Sequence, residues 1–148
     1  MALFSHDTKA DALGRAPLFE GLSRDELKEL AKLSEDLEVS EGKVLCREGE
    51  TAQEFFVIVD GEVDVTQDGE RVATLSDGDF FGEIALLEDI PRTATVTAKA
   101  PLRFFVLTRQ AFWSLIERQP DVERKILRAL AKRVLASTDD LTVGRAET

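Results

Sequence analysis

The chain has 148 residues, 43% hydrophobic and 32% charged, with 19 basic side chains against 29 acidic ones and a net charge of −10. That length buries the core of one domain without staples, and the acidity opposes general binding to nucleic-acid phosphates or anionic lipid. A single cysteine, Cys46, excludes an intrachain disulfide, and a single histidine, His6, argues against His-rich metal sites and against Ser-His-Asp or Cys-His nucleophiles.

In chain order, residues 1–22 read as a lead-in ended by Pro17 and Gly21, a domain follows over 23–141, and 142–148 form a tail. Ser23 and Glu26 have the spacing of a capping box, with Leu22 and Leu27 placed to close over it. Leu27, Leu30, Ala31 and Ser34 then keep a helical period, which predicts a helix over 24–34. From about 36 to 108 the pattern changes to β. Asp60-Gly61, Asp68-Gly69 and Asp77-Gly78 are tight-turn dipeptides. Short β-type runs lie around them: Glu54–Val59, Glu62–Gln67, Glu70–Leu75, Thr93–Ala98 and Leu102–Leu107. Val63 and Val65 share one face of the second run, and Ala94, Val96 and Ala98 share one face of the fourth. Short strands at this spacing predict a closed β-sandwich or jelly roll. Cys46 falls in a predicted strand as a small core residue.

The run Phe81-Gly82-Glu83-Ile84-Ala85-Leu86-Leu87 breaks the β-rhythm and predicts one or two helical turns stopped by Pro91. Helices close the domain over about 109–141. Thr108 caps the first, which carries Ala111, Phe112, Leu115 and Ile116, and Pro120-Asp121 open the second. There Val122, Ile126, Leu130 and Val134 form one apolar stripe, and Leu127, Ala131 and Leu135 a second. A face this wide serves both a barrel and a partner chain. The longest apolar run, Phe55–Val59, is five residues, against the ~20 that span a bilayer. No charged-then-apolar leader opens the sequence. The expectation is a cytoplasmic protein with no metal site and no membrane contact.

The chemistry concentrates in Phe81–Leu87 and Pro91-Arg92-Thr93-Ala94-Thr95-Val96. A short helix inside a β-barrel offers amide donors at its first turn. Gly82 permits close backbone approach, Arg92 presents a guanidinium fork to phosphate oxygens, and Glu83 accepts a hydrogen bond from a hydroxyl. The set suits a small ligand carrying both an anionic phosphate and a free hydroxyl.

FGEIALL followed by PRTATV resembles the phosphate-binding cassette of cyclic nucleotide-binding domains, the family of catabolite activator proteins, protein kinase A regulatory subunits and cyclic-nucleotide-gated channels. The resemblance spans roughly residues 17–140. Gly42-Lys43-Val44-Leu45, Gly49 and the Gly61 turn are similar to the structural part of the family's roll. The resemblance implies a mainly β fold with flanking helices: an eight-strand β-roll (jelly roll) with an inserted cassette helix, an N-terminal helix and two C-terminal helices. It implies that Arg92 holds the cyclic phosphate and Glu83 the ribose 2′-hydroxyl. The amides of Gly82, Ile84 and Ala85 and the Thr93 hydroxyl complete the cradle. Residues Gln119–Leu141 resemble the dimer helix of the activator group. Ser137-Thr138 stand there as candidate base contacts, in the reverse of the family's Thr-Ser order. Thr93 in its position after the arginine favours guanine in channel-type relatives, so cyclic AMP and cyclic GMP are both expected, with cyclic AMP modestly ahead.

The function this implies is a stand-alone cyclic nucleotide sensor without catalysis or a cofactor, whose C-terminal helices signal to a protein partner or a second copy. No DNA-binding helix-turn-helix is expected after it, nor a kinase-inhibitor or channel segment before it. Quieter readings stand beside these. Arg92 and Glu83 pair with each other in a structural ion pair, Thr93 merely starts a strand, and Ser137-Thr138 form a polar helix end. Arg124, Lys125, Arg128, Lys132 and Arg133 then form a solvated helix face. The alternative function is a ligand-free roll that serves as a structural dimerisation or docking module. A small β-barrel isomerase or dioxygenase needs several His ligands, and the sequence has one His.

Overall fold

Thr8 opens the described part of the chain by accepting a hydrogen bond from the amide of Asp11, which caps helix α1 (Lys9–Gly14); a 3₁₀ turn (Pro17–Phe19) follows. The computed structural model describes residues 8–142, with side chains through Lys132. The described residues up to Ser114 form one compact unit and those from Leu115 a second. Within the stretch read as a lead-in, the described residues from Thr8 on include this helix and turn, and Leu13, Leu18 and Phe19 are buried. Six residues of helix are too few for a periodic pattern to announce them.

Helix α2 (Arg24–Leu33) has the predicted capping box in both directions: Ser23 accepts from the Glu26 amide, and Glu26 accepts from that of Ser23. It runs straight into β1. The eight strands among the described residues are β1 (Ser34–Val39), β2 (Val44–Cys46), β3 (Glu54–Asp60), β4 (Val63–Gln67), β5 (Glu70–Leu75), β6 (Phe80–Phe81), β7 (Thr95–Ala98) and β8 (Leu102–Thr108). They make two antiparallel four-stranded sheets, ordered β1-β8-β3-β6 and β2-β7-β4-β5. The core lies between the sheets. Phe56, Ile58, Phe81, Phe104 and Val106 come from the first, and Val63, Val96 and Ala98 from the second, with Val65 and Cys46 packed at the margin. The fold expected from the sequence, a mainly β roll with flanking helices, is the fold observed.

Two devices hold the frame. At the β4–β5 tip, Asp68 (φ 52) and Gly69 (φ 83) are both left-handed, the backbone that a two-residue Asp-Gly hairpin turn demands. Arg103, 3% exposed, makes a bidentate bond to Asp36 at 3.0 and 2.8 Å and so fastens β8 to the outer strand β1.

Near the cassette the structure adjusts the expectation. Helix α3 (Glu83–Glu88) ends before Pro91, because Asp89 turns left-handed with φ 54 and its amide bonds back to the Ala85 carbonyl. Strand β7 starts at Thr95, which leaves Thr93 and Ala94 in a bend. The two-residue strand β6 carries no alternation to read, so it went unpredicted.

Helix α4 (Arg109–Arg118) begins as expected, with the Thr108 hydroxyl accepting from the Ala111 amide at 3.1 Å. Its Phe112 ring lies 4.7 Å from that of Phe55. Helix α5 (Pro120–Thr142) has Asp121 and Glu123 in its first turn, where carboxylates favour the positive end of the helix dipole. Val122 and Ile126 are buried, Leu127 is 58% exposed, and Arg124, Arg128 and Lys132 are exposed. The side chains of Arg133, Val134, Leu135, Ser137 and Thr138 lie outside the described residues, as does His6 entirely. No helix among the described residues is long and apolar enough to cross a membrane.

Candidate functional site

Strand β6 delivers the chain to Gly82, whose φ of 93 turns it abruptly into α3. A side chain there is excluded twice over. The backbone is left-handed, and a Cβ would lie 2.8 Å from an Arg92 guanidinium nitrogen and 3.1 Å from the Glu54 carbonyl oxygen. Gly82 is also the N-cap of α3, and glycine supplies no capping oxygen. The first four amides of a helix, here those of Gly82, Glu83, Ile84 and Ala85, have no intrahelical acceptor. The three amides named from the sequence, those of Gly82, Ile84 and Ala85, thus lie in the first turn of one short helix, and Thr93 lies outside it.

Arg92 reaches this turn from the far end of the cassette. Its Nη1 donates to the Gly82 carbonyl at 3.1 Å and its Nη2 to the Glu54 carbonyl at 2.7 Å. The residue is 6% exposed. Burying a guanidinium is costly unless its donors are met, and the two carbonyls meet two of five. The Phe56 ring adds a third contact, with the guanidinium carbon 5.5 Å from the ring centroid. The backbone of Arg92 is held as well, its amide donating to the Glu50 carbonyl at 2.8 Å and its carbonyl accepting from the Gly49 amide at 2.9 Å.

Glu83 is 1% exposed; its Oε1 accepts no hydrogen bond, although the residue makes other interactions. Ala85 is buried and Ile84 faces outward at 37% exposure. Thr93 is exposed in its bend, and its carbonyl accepts from Gln67 Nε2 at 3.0 Å. The structure therefore joins Gly82 directly to Arg92, places Glu83, Ile84 and Ala85 in the adjoining turn, and sets Thr93 next along the chain. Ser137 and Thr138 belong to the part of α5 whose side chains are not described.

Sequence reasoning missed Glu50, Glu54 and Phe56. Two act through backbone carbonyls, which carry no residue signature. Phe56 lies 36 positions before Arg92 in a run that reads simply as buried strand. Gly49 stood out in the sequence, but as part of the frame. Cys46 borders the same region. Burial pushes its thiol pKa up, and the nearby Arg92 charge opposes that shift. The far end of the cassette is tied down by Arg109, which bonds Asp89 at 3.1 Å and the Ala52 carbonyl at 3.3 Å.

Residues 36–119 match the family model described as cyclic nucleotide-binding domain. The chain is 41% identical over 106 residues to a cAMP-dependent protein kinase regulatory subunit of Yarrowia lipolytica, an alignment covering 70% of this chain and 28% of that protein. It is 37% identical over 118 residues to a cGMP-dependent protein kinase of Caenorhabditis briggsae, covering 75% and 16% respectively. Among solved structures, the catabolite activator protein of Thermus thermophilus superposes with a TM-score of 0.75 at 27% identity, over 86% of this chain and 62% of that one. The chain thus spans well under a third of the length of these two kinase relatives.

Proposed function

The chain belongs to the cyclic nucleotide-binding domain family, and from that premise we propose that it binds cyclic AMP, and cyclic GMP less tightly, as a sensing module without catalysis of its own. One observation carries the reading: a buried arginine, bracketed by two carbonyls, is fixed against the first turn of a glycine-capped helix. Three guanidinium N–H groups are left beyond the two that the carbonyls engage. A phosphate oxygen pair would meet these donors together with the first-turn amides of α3. Glu83 would take the ribose 2′-hydroxyl, and the Thr93 hydroxyl would serve the phosphate or a guanine amino group. Ser137 and Thr138 remain the proposed base contacts, and the binding domain is proposed to extend over residues 23–141.

Occupancy would be relayed through α4 and α5 to a protein partner or a second copy, in a cytoplasmic setting. The Asp89–Arg109 pair supports that route, since it links the exit of the cassette helix to the first residue of α4. Relay requires the two helix states to differ in ligand affinity.

Isothermal calorimetry with both cyclic nucleotides tests the proposal. Both bind, cyclic AMP ahead by less than tenfold, and noncyclic 5′-AMP far more weakly because of its extra charge. At a hundredfold excess over Kd, ligand adds about 2.7 kcal/mol of stability, or roughly 5–10 °C in Tm. No heat and an unmoved Tm with millimolar amounts of either ligand would leave the ligand-free docking module.

A further inference from the structure

Arg92 does more than reach two carbonyls: it lies over an aromatic ring that is itself immobilised. Phe56 and Phe81 are register partners in the β3–β6 pairing. Their rings stack with centroids 4.6 Å apart and planes within 8°. The Phe104 ring, centroid 6.0 Å away and tilted by 48°, closes on Phe56 as well. All three are under 5% exposed. The ring therefore has little room to rotate or slide. The guanidinium carbon sits 5.5 Å from its centroid, inside the range in which a ring quadrupole attracts a cation.

The same strand supplies a second fixing. Glu54, two residues earlier on β3, accepts from Arg92 Nη2. From the other side, a Cβ on Gly82 would lie 3.3 Å from the Phe56 ring edge, so ring, glycine and guanidinium occupy adjoining volumes. Two carbonyls alone leave the guanidinium free to rock about the line joining them. A ring face removes that freedom and replaces part of the hydration lost on burial.

We infer that Phe56 is the positioning residue for Arg92, holding the guanidinium plane ready for an anionic oxygen pair before any ligand arrives. The inference rests on the reading of Arg92 as the phosphate ligand. A site set in advance pays no ordering cost on binding. Loss of the ring contact is therefore read in ligand affinity and not only in folding.

The test replaces Phe56 with 3,4,5-trifluorophenylalanine, which keeps the shape and weakens the quadrupole, alongside Phe56→Leu and the packing control Phe104→Leu. Three quantities are measured: Kd for cyclic AMP by calorimetry, Tm, and the NMR shift of the Arg92 Hε proton without ligand. The fluorinated protein keeps a Tm within about 3 °C of wild type, shifts Arg92 Hε, and binds cyclic AMP roughly tenfold to thirtyfold more weakly. Phe104→Leu lowers Tm yet keeps affinity within threefold. If wild type binds and the fluorinated protein matches it within twofold, or if Arg92 Hε does not move, the inference is overturned. Failure of wild type to bind either cyclic nucleotide overturns instead the functional reading beneath it. The fluorinated protein decides the matter even if Phe56→Leu does not fold.

Discussion

Gly69 and Gly82 share a positive φ of similar size, 83 and 93, in surroundings that differ sharply. A Cβ on Gly69 would meet nothing within 4 Å, whereas one on Gly82 would press on Arg92, Glu54 and Phe56. The hairpin glycine answers a purely local demand, since an Asp-Gly turn is complete in itself. The cassette glycine answers a local demand and a distant one together. A turn shapes the chain; a site needs neighbours from elsewhere in the sequence.

Arg92→Ala tests the distant half most severely. Removing one side of a buried charge interaction costs about 3–5 kcal/mol, which is roughly two to nearly four decades in Kd by calorimetry, and the roll stays folded by circular dichroism. Binding within threefold of wild type would break the comparison at its root. Glu83→Ala comes next, at about 1.5–3 kcal/mol of binding energy for a charged hydrogen bond. The loss shrinks when the ligand is 2′-deoxy cyclic AMP, and equal losses for both ligands would remove Glu83 from the ribose.

The two glycines can then be set against each other. Gly82→Ala forces a left-handed alanine against the Arg92 guanidinium, costing about 1–3 kcal/mol, and it weakens ligand binding along with Tm. Gly69→Ala carries only the backbone penalty, about 1–2 kcal/mol, and lowers Tm while Kd stays constant. A Gly69 variant that loses affinity would show the hairpin tip to be part of the site. The smallest effect belongs to Thr93→Ala, about 0.5–1.5 kcal/mol for one neutral hydroxyl. Competition binding should show cyclic GMP losing more than cyclic AMP; equal loss assigns the hydroxyl to the phosphate.

The same contrast explains what the sequence disclosed. The capping box at Ser23, the Asp-Gly turns at Asp68-Gly69 and Asp77-Gly78, the alternation of Val63 and Val65 and the Thr108 cap are all written within a few residues, and each appears in the structure. Asp60, by contrast, ends β3, and Gly61 is a bend leading into the other sheet. Helix α1 was hidden by its brevity. The stop of α3 at Asp89 was hidden because proline is a louder signal than a left-handed aspartate. At the site, Gly82 and Arg92 were legible through their motif and are in direct contact. The Glu50 and Glu54 carbonyls were not, since any residue presents a carbonyl, and Phe56 was masked by its equally good fit to the core.

The bidentate Arg103–Asp36 bond has a consequence for behaviour at high concentration. Strand β1 is the outermost of its sheet, and an outer strand that peels away bares β8 for pairing with another molecule. Peeling here means breaking both bonds of that bidentate pair, made by an arginine that is 3% exposed, in addition to the strand ladder. The flank of β1 also turns Glu35 and Glu38 to solvent, so two such edges meet with like charges opposed. The strand is locked from within and repellent from without, and strand exchange and fibril growth are discouraged at the same edge.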